Sequence, residues 1–295
     1  MSKRSGRLIS GGAAALLLSI SVLAQGNERV AYVSAWDAKT RLPVTGLGAA
    51  AFAVREDGAR REILRVTPAT TPMAVAILVD NSAATGDNVS DIRRALTTFV
   101  KELDGIGPVA IIGLADRPTI LRDYTTSQKE LSDGVGKLFA MPDSGATLLD
   151  AIAEISKGLE KRPEDRAAMV VVTTENTEFS NRHYTDVLRG LAEGGAMLHA
   201  VVLTSAAGSS LDDAARHRAF VLDRGPRNSG GTRTDILASQ AFEGKLKQLA
   251  AILKSQHRVV YSRPQALIPP QQVEIASASD GIEAAGAPAR GQAIR

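Results

Sequence analysis

The 295-residue sequence has no cysteine. Disulfides and thiolate-bound metals are therefore excluded, and stability has to come from a packed core. Aromatic residues are scarce, at 4%, so that core must be built from Val, Leu, Ile and Ala. Apolar residues reach 44% and charged residues 23%. Those proportions suit a folded chain and argue against global disorder. A surplus of charge is lacking too. The formal net charge is +3, but Lys3, Arg4 and Arg7 account for it: without them the 35 basic residues fall to 32, matching the 32 acidic ones. A balanced chain exerts no electrostatic pull on nucleic acid. No basic stripe with interleaved aromatics is present either.

The common catalytic signatures are missing as well. No Gly-x-Ser-x-Gly elbow occurs to expose a nucleophilic serine. His183, His199, His217 and His257 are scattered, and no pair has the His-x-x-x-His spacing of a zinc site. His199 lies in a buried-strand pattern and reads as a core residue. Phosphate-cradling glycine loops are absent. With no catalytic residue to name, the chain reads as a non-enzyme.

What is present begins with the amino terminus. Lys3, Arg4 and Arg7 precede an apolar stretch from Gly11 to Leu23, and Val22 and Ala24 are small residues at the −3 and −1 positions of a cleavage site. This is the pattern of a secretory signal peptide over residues 1–24. The apolar run is shorter than the ~20 residues that span a bilayer, which favours cleavage over an uncleaved anchor. No later run is long enough to span a membrane. The expected location is secreted or periplasmic.

Residues 28–67 hold three strand candidates, Arg29 to Trp36, Phe52 to Glu56 and Glu62 to Val66, with Asp57-Gly58 as a tight-turn signal. From Met73 the pattern changes. Met73 to Val79 is apolar throughout, as in a parallel strand covered on both faces. Further buried strands follow at Val109 to Leu114, Met169 to Thr173 and Met197 to Leu203, with a short one at Thr119 to Arg122. Helical spacing links them at Val89 to Leu103, Gln128 to Phe139, Leu148 to Leu159, Tyr184 to Leu191 and Phe242 to Leu253. This alternation over residues 73–256 predicts an α/β domain with a doubly wound, mostly parallel sheet. Arg224 to Thr232 and Ser205 to Ser210 read as Gly/Ser-rich loops. Two terminal strands within residues 257–276, Arg258 to Ser262 and Gln272 to Ala276, are expected to join the strands before residue 67 in a small accessory sheet. Residues 277–295 are expected to fray.

Ligands in doubly wound sheets bind at the carboxyl ends of the strands. There the run Val79-Asp80-Asn81-Ser82-Ala83-Ala84 places a carboxylate and a hydroxyl two residues apart. It resembles the first motif, Asp-x-Ser-x-Ser, of von Willebrand factor type A domains. Ser144-Gly145-Ala146-Thr147 resembles the family's second loop, with Thr147 in the ligating place. The strand Val170-Val171-Val172-Thr173 is followed by Thr174-Glu175-Asn176, which stands where the family has its third loop. The flanks "PVTGL…FAVREDG" and "LKQLAAILKSQHRVVYS" are similar to a group of such proteins in acidobacterial genomes.

The resemblance implies a Rossmann-like sheet and a protein-binding or adhesion module. It also implies a Mg²⁺ site with Asp80, Ser82 and Thr147 as ligands. The site is degenerate: Ala84 stands in place of the second Ser and Thr174 in place of the third-loop Asp, with Glu175 the substitute carboxylate. Fewer charged ligands weaken Mg²⁺ binding. Asp80 and Ser82 then hydrogen-bond loop amides, and Thr147 caps the following helix. Asn81, Asp116, Asp143 and Asn176 are the loop residues expected to meet an unknown protein partner. The alternatives are a structural envelope component with a vestigial site, or a metal-assisted hydrolase with Asp80 as base.

Overall fold

The computed structural model describes residues 28–175, 177–204, 212–264 and 269–292. The leader, the Ser205–Ser210 loop and Asn176 lie outside those residues. Along the chain, β1 (Glu28–Asp37), β2 (Phe52–Glu56), β3 (Ala59–Arg61) and β4 (Ile63–Pro68) come first. Then follow β5 (Met73–Val79), α1 (Val89–Glu102), β6 (Val109–Gly113), β7 (Thr119–Thr125), α2 (Gln128–Gly136) and α3 (Leu148–Glu160). The second half of the domain holds β8 (Arg166–Thr174), α4 (Tyr184–Gly194), β9 (Met197–Leu203), α5 (Asp213–Ser229), β10 (Arg233–Ile236) and α6 (Ala241–Lys254). β11 (His257–Ser262), β12 (Val273–Ser277) and β13 (Ile282–Pro288) close the chain.

The central sheet runs β10-β9-β8-β5-β6-β7. Every neighbour pair is parallel except β6 and β7. β5 sits inside and is buried at every position, which is why its sequence shows no alternation. Its odd residues, Met73, Val75, Ile77 and Val79, pack with Ile92, Leu96 and Phe99 of α1 and Phe242 and Leu246 of α6. The even residues, Ala74, Ala76 and Leu78, pack with Leu148 and Ile152 of α3, Val187 of α4 and Val221 of α5. Each such Leu, Ile or Phe removed from water contributes about 1.5–3 kcal/mol. The strand order reverses at β5: the next strand lies on one side of it and the later ones on the other. The crevice between the carboxyl ends of β5 and β8 is therefore the switch point of the sheet.

The terminal strands do pair with those before residue 67, in two small antiparallel sheets rather than one. β13-β1-β11-β4 forms the larger and β12-β2-β3 the smaller. They share a core of Ala31, Val33, Val54, Phe52, Val259 and Tyr261. Two expectations fail here. The segment 277–295 does not simply fray, because β13 pairs with β1 from Ala31↔Pro288 to Asp37↔Ile282. The loop expected at Arg224 to Thr232 is mostly the last part of α5, which runs through Pro226 to Ser229.

Candidate functional site

Three loops meet over the switch point, and their backbones are stitched together. Asp80 N–H donates to Val172 O at 2.8 Å, Thr147 N–H to Leu114 O at 2.8 Å and Met141 N–H to Asn81 O at 2.8 Å. Phe179 N–H reaches Ala146 O at 2.7 Å. The three positions picked out for a cation therefore come together, but below the surface. Asp80, Ser82 and Thr147 are 1%, 0% and 3% exposed.

Their polar atoms are directed inward. Asp80 Oδ1 accepts from Ser82 N at 3.0 Å and from Ser82 Oγ at 2.7 Å. Asp80 Oδ2 accepts from Thr173 Oγ1 at 2.9 Å and from the Thr174 amide and hydroxyl at 3.5 Å. Thr147 is the residue before α3, yet its side chain caps nothing. Its hydroxyl donates instead to Leu114 O at 2.8 Å. The α3 amides are met from the third loop: Leu149 N–H by Glu178 Oε1 at 3.5 Å and Asp150 N–H by Ser180 Oγ at 3.0 Å. The expected threonine cap is replaced because the Thr147 hydroxyl is held by Leu114 O, just after β6.

Arg218 of α5 and Glu178 of the third loop are residues that sequence reasoning missed; Arg218 is the cation of the pair. It is 5% exposed and enters from below. One of its Nη2 hydrogens goes to Thr173 Oγ1 at 2.6 Å and another to Thr174 O at 2.5 Å. Its Nε lies 3.5 Å from Glu178 Oε2. The Thr173 hydroxyl thus accepts from Arg218 and donates to Asp80. Burial lowers the Arg218 pKa, while Asp80, Glu178 and Glu175 pull it back up. Glu178 is 4% exposed, and burial raises its pKa against the pull of Ser180 and Arg218. Arg218 escaped because α5 is rich in Arg and interrupted by Gly225 and Pro226. Its signal was Asp212, which caps the helix through Ala215 N at 2.7 Å, followed by Ala215, Val221 and Leu222 at helical spacing.

As arranged, this set does not fit a hard divalent cation. Such an ion needs several outward oxygens around an open position, and both Asp80 oxygens are taken by internal donors with a guanidinium behind them. Ala84 adds no oxygen. Thr174 adds no carboxylate. Among the described residues no group of three or more His, Asp or Glu side chains is arranged to hold a metal.

The residues expected to meet a partner divide. Asn81 is 6% exposed. Its Oδ1 accepts from Leu114 N and Ala115 N at 2.8 and 3.0 Å, and its Nδ2 donates to Phe139 O at 3.2 Å. It is a strut, not a contact. Asp116 and Asp143 are exposed, both at positive φ (55° and 57°). Glu175 is half-buried. The crest also exposes large apolar side chains: Phe139 at 61%, Met141 at 46% and Phe179 at 56%. Phe179 lies flat against Gly145, where a Cβ would come within 2.6 Å of its ring. Arg93 lies over the Phe139 ring at 5.0 Å.

The family model of the von Willebrand factor type A domain matches residues 75–176, a span that covers all three loops. The chain carries a von Willebrand factor type A domain. No curated protein sequence matches it. Among solved structures, proximal thread matrix protein 1 from the mussel byssus superposes with a TM-score of 0.50 at 10% identity, covering 63% of this chain and 49% of that one. A von Willebrand factor type A protein from Catenulispora acidiphila gives a TM-score of 0.48 at 9% identity, over 88% of this chain and 72% of that one. The PilB minor pilin from Streptococcus sanguinis gives 0.46 at 11%, over 63% and 62%. The chain thus spans less than two thirds of the pilin and about half of the byssus protein. The von Willebrand factor type A fold is consistent with a protein-interaction module. Among the described residues no helix is long and apolar enough to cross a membrane.

Proposed function

We propose that the protein is an exported binding module that docks a protein partner on the crest of its von Willebrand factor type A domain. The observation that carries this is the exposure of Phe139, Met141 and Phe179 on loops at the carboxyl ends of the strands. Large exposed apolar side chains brought together on neighbouring loops and rimmed by polar residues mark interaction sites. The partner is a protein presenting apolar side chains with a polar rim, to which Asp116, Asp143 and Arg93 supply the complement. Asp80, Ser82 and Thr147 hold the crest in shape from beneath, so the metal site inherited from the family is degenerate and Mg²⁺ is not the group that meets the partner. Export rests on the charged and apolar leader before Ala24.

The reading is tested by placing a photo-crosslinking residue at Phe179 and, as control, at exposed Lys161 at the opposite end of the sheet. The full chain is expressed in its own host, which is then fractionated. We expect a discrete protein adduct at position 179 and none at 161, on a chain that begins at Gln25 and lies outside the cytoplasm. Identical labelling at both positions contradicts the docking face. A chain retaining Met1 to Ala24 in the cytoplasm contradicts export.

A further inference from the structure

The von Willebrand factor type A crest brings carboxylates together at the strand ends, and their charge needs a positive counterpart. Here that counterpart is covalently built in. Arg218 reaches the crest from α5, a helix packed under β9 and β10, and its guanidinium is fixed by three separate groups: Thr173 Oγ1, Thr174 O and Glu178 Oε2. Two of these belong to the end of β8 and one to the third loop. Asp80 is joined to the same cation through Thr173, whose hydroxyl lies 2.9 Å from Asp80 Oδ2 and 2.6 Å from Arg218 Nη2. Glu178 carries the set onward to the amino end of α3 through Leu149 N and to Ser180 N. One buried guanidinium therefore links the ends of β5 and β8, the third loop and α3.

We propose that Arg218 is a resident cation that takes the place of a divalent ion, so that the crest is assembled without metal. A planar guanidinium with fixed donors suits this use better than an ammonium would. An arginine buried among carboxylates is held charged by them and cannot leave. The position of the crest loops then does not respond to divalent cations. The proposal concerns how the crest is held together, and it stands whether or not the crest docks a protein.

The test uses the mature chain and four variants: Arg218→Met, Asp80→Asn, their combination, and Arg218→Lys. Melting temperature is followed in EDTA and in millimolar Mn²⁺, and free Mn²⁺ is read by electron paramagnetic resonance. For the wild type we expect the same melting temperature in both conditions and no uptake of Mn²⁺. Arg218→Met should lower the melting temperature by roughly 10 °C, the usual effect of stranding a buried carboxylate in a chain of this size. That loss should shrink clearly in the Asp80→Asn background, because part of it is charge left uncompensated on Asp80. Arg218→Lys should recover part of the loss. Stoichiometric Mn²⁺ uptake by the wild type, abolished in Asp80→Asn, would overturn the proposal. So would an Arg218→Met loss of equal size in both backgrounds, since the arginine would then be only a packed side chain. If Arg218→Met does not fold, the Mn²⁺ measurement on the wild type and the Arg218→Lys comparison decide.

Discussion

His199 shows what burial does to a single titratable group. It sits in β9 at 1% exposure, where its Nδ1 accepts from Thr232 N at 3.2 Å and pairs with Thr232 Oγ1 at 3.0 Å. Burial pushes its pKa down from 6.5 to about 4. The folded chain therefore holds this imidazole neutral across a range where the unfolded chain protonates it. Its contribution is complete above pH 6.5 and is lost as the pH falls towards 4, by on the order of 3 kcal/mol. Replacing His199 with Gln should lower stability at neutral pH and flatten the acid limb between those values. The check is urea unfolding at a series of pH values for both chains. An acid limb of unchanged slope in the variant would remove His199 from the account.

The sequence identified some site residues and missed others for physical reasons. Asp80 and Ser82 were legible because their spacing after a buried strand is local, and Thr147 because its loop resembles the second motif of the family. Their roles were not legible, because the spacing does not say where a lone pair is spent. Asn81 was assigned to a partner, yet it serves two amides 33 and 34 residues away and a carbonyl 58 residues away. Arg218 and Glu178 were invisible because a charged residue on a helix or loop normally reads as solvated. Only the three-dimensional convergence of α5 with the crest reveals them.

Among the elements, α5 and β13 explain each other. α5 ends at Gly230, which has φ +73°. A Cβ there would come within 2.1 Å of Gly286 O in β13. The glycine lets the helix end meet the accessory sheet backbone to backbone. Gly230→Ala should cost at least about 2 kcal/mol, combining the left-handed conformation with the clash. Gly244→Ala, at an exposed position of α6 with nothing near its Cβ, should instead stabilise by about 0.5–1 kcal/mol. Chemical denaturation of both variants checks the contrast, and equal effects would contradict the close approach. β13 escaped sequence reading because Ala284, Ala285, Gly286 and Ala287 have weak strand preference. They form a strand because β1 offers them an edge. β5, β8 and β9 were legible because continuous apolar runs have few other uses in a chain of this composition.

For the whole molecule, the doubly wound sheet delivers three loops to one crest, the buried charges beneath fix their positions, and the exposed rings above give them a surface to offer. Partner capture by the tagged full chain in its own host, compared with Phe139→Ser/Phe179→Ser, tests this most directly. Captured proteins are quantified by mass spectrometry, with and without EDTA, alongside the melting temperature of each chain. The account predicts that a specific subset of captured proteins disappears in the double variant while its melting temperature stays close to that of the wild type, and that EDTA leaves wild-type capture unchanged. The same proteins captured by both chains, or capture that EDTA abolishes, would contradict it.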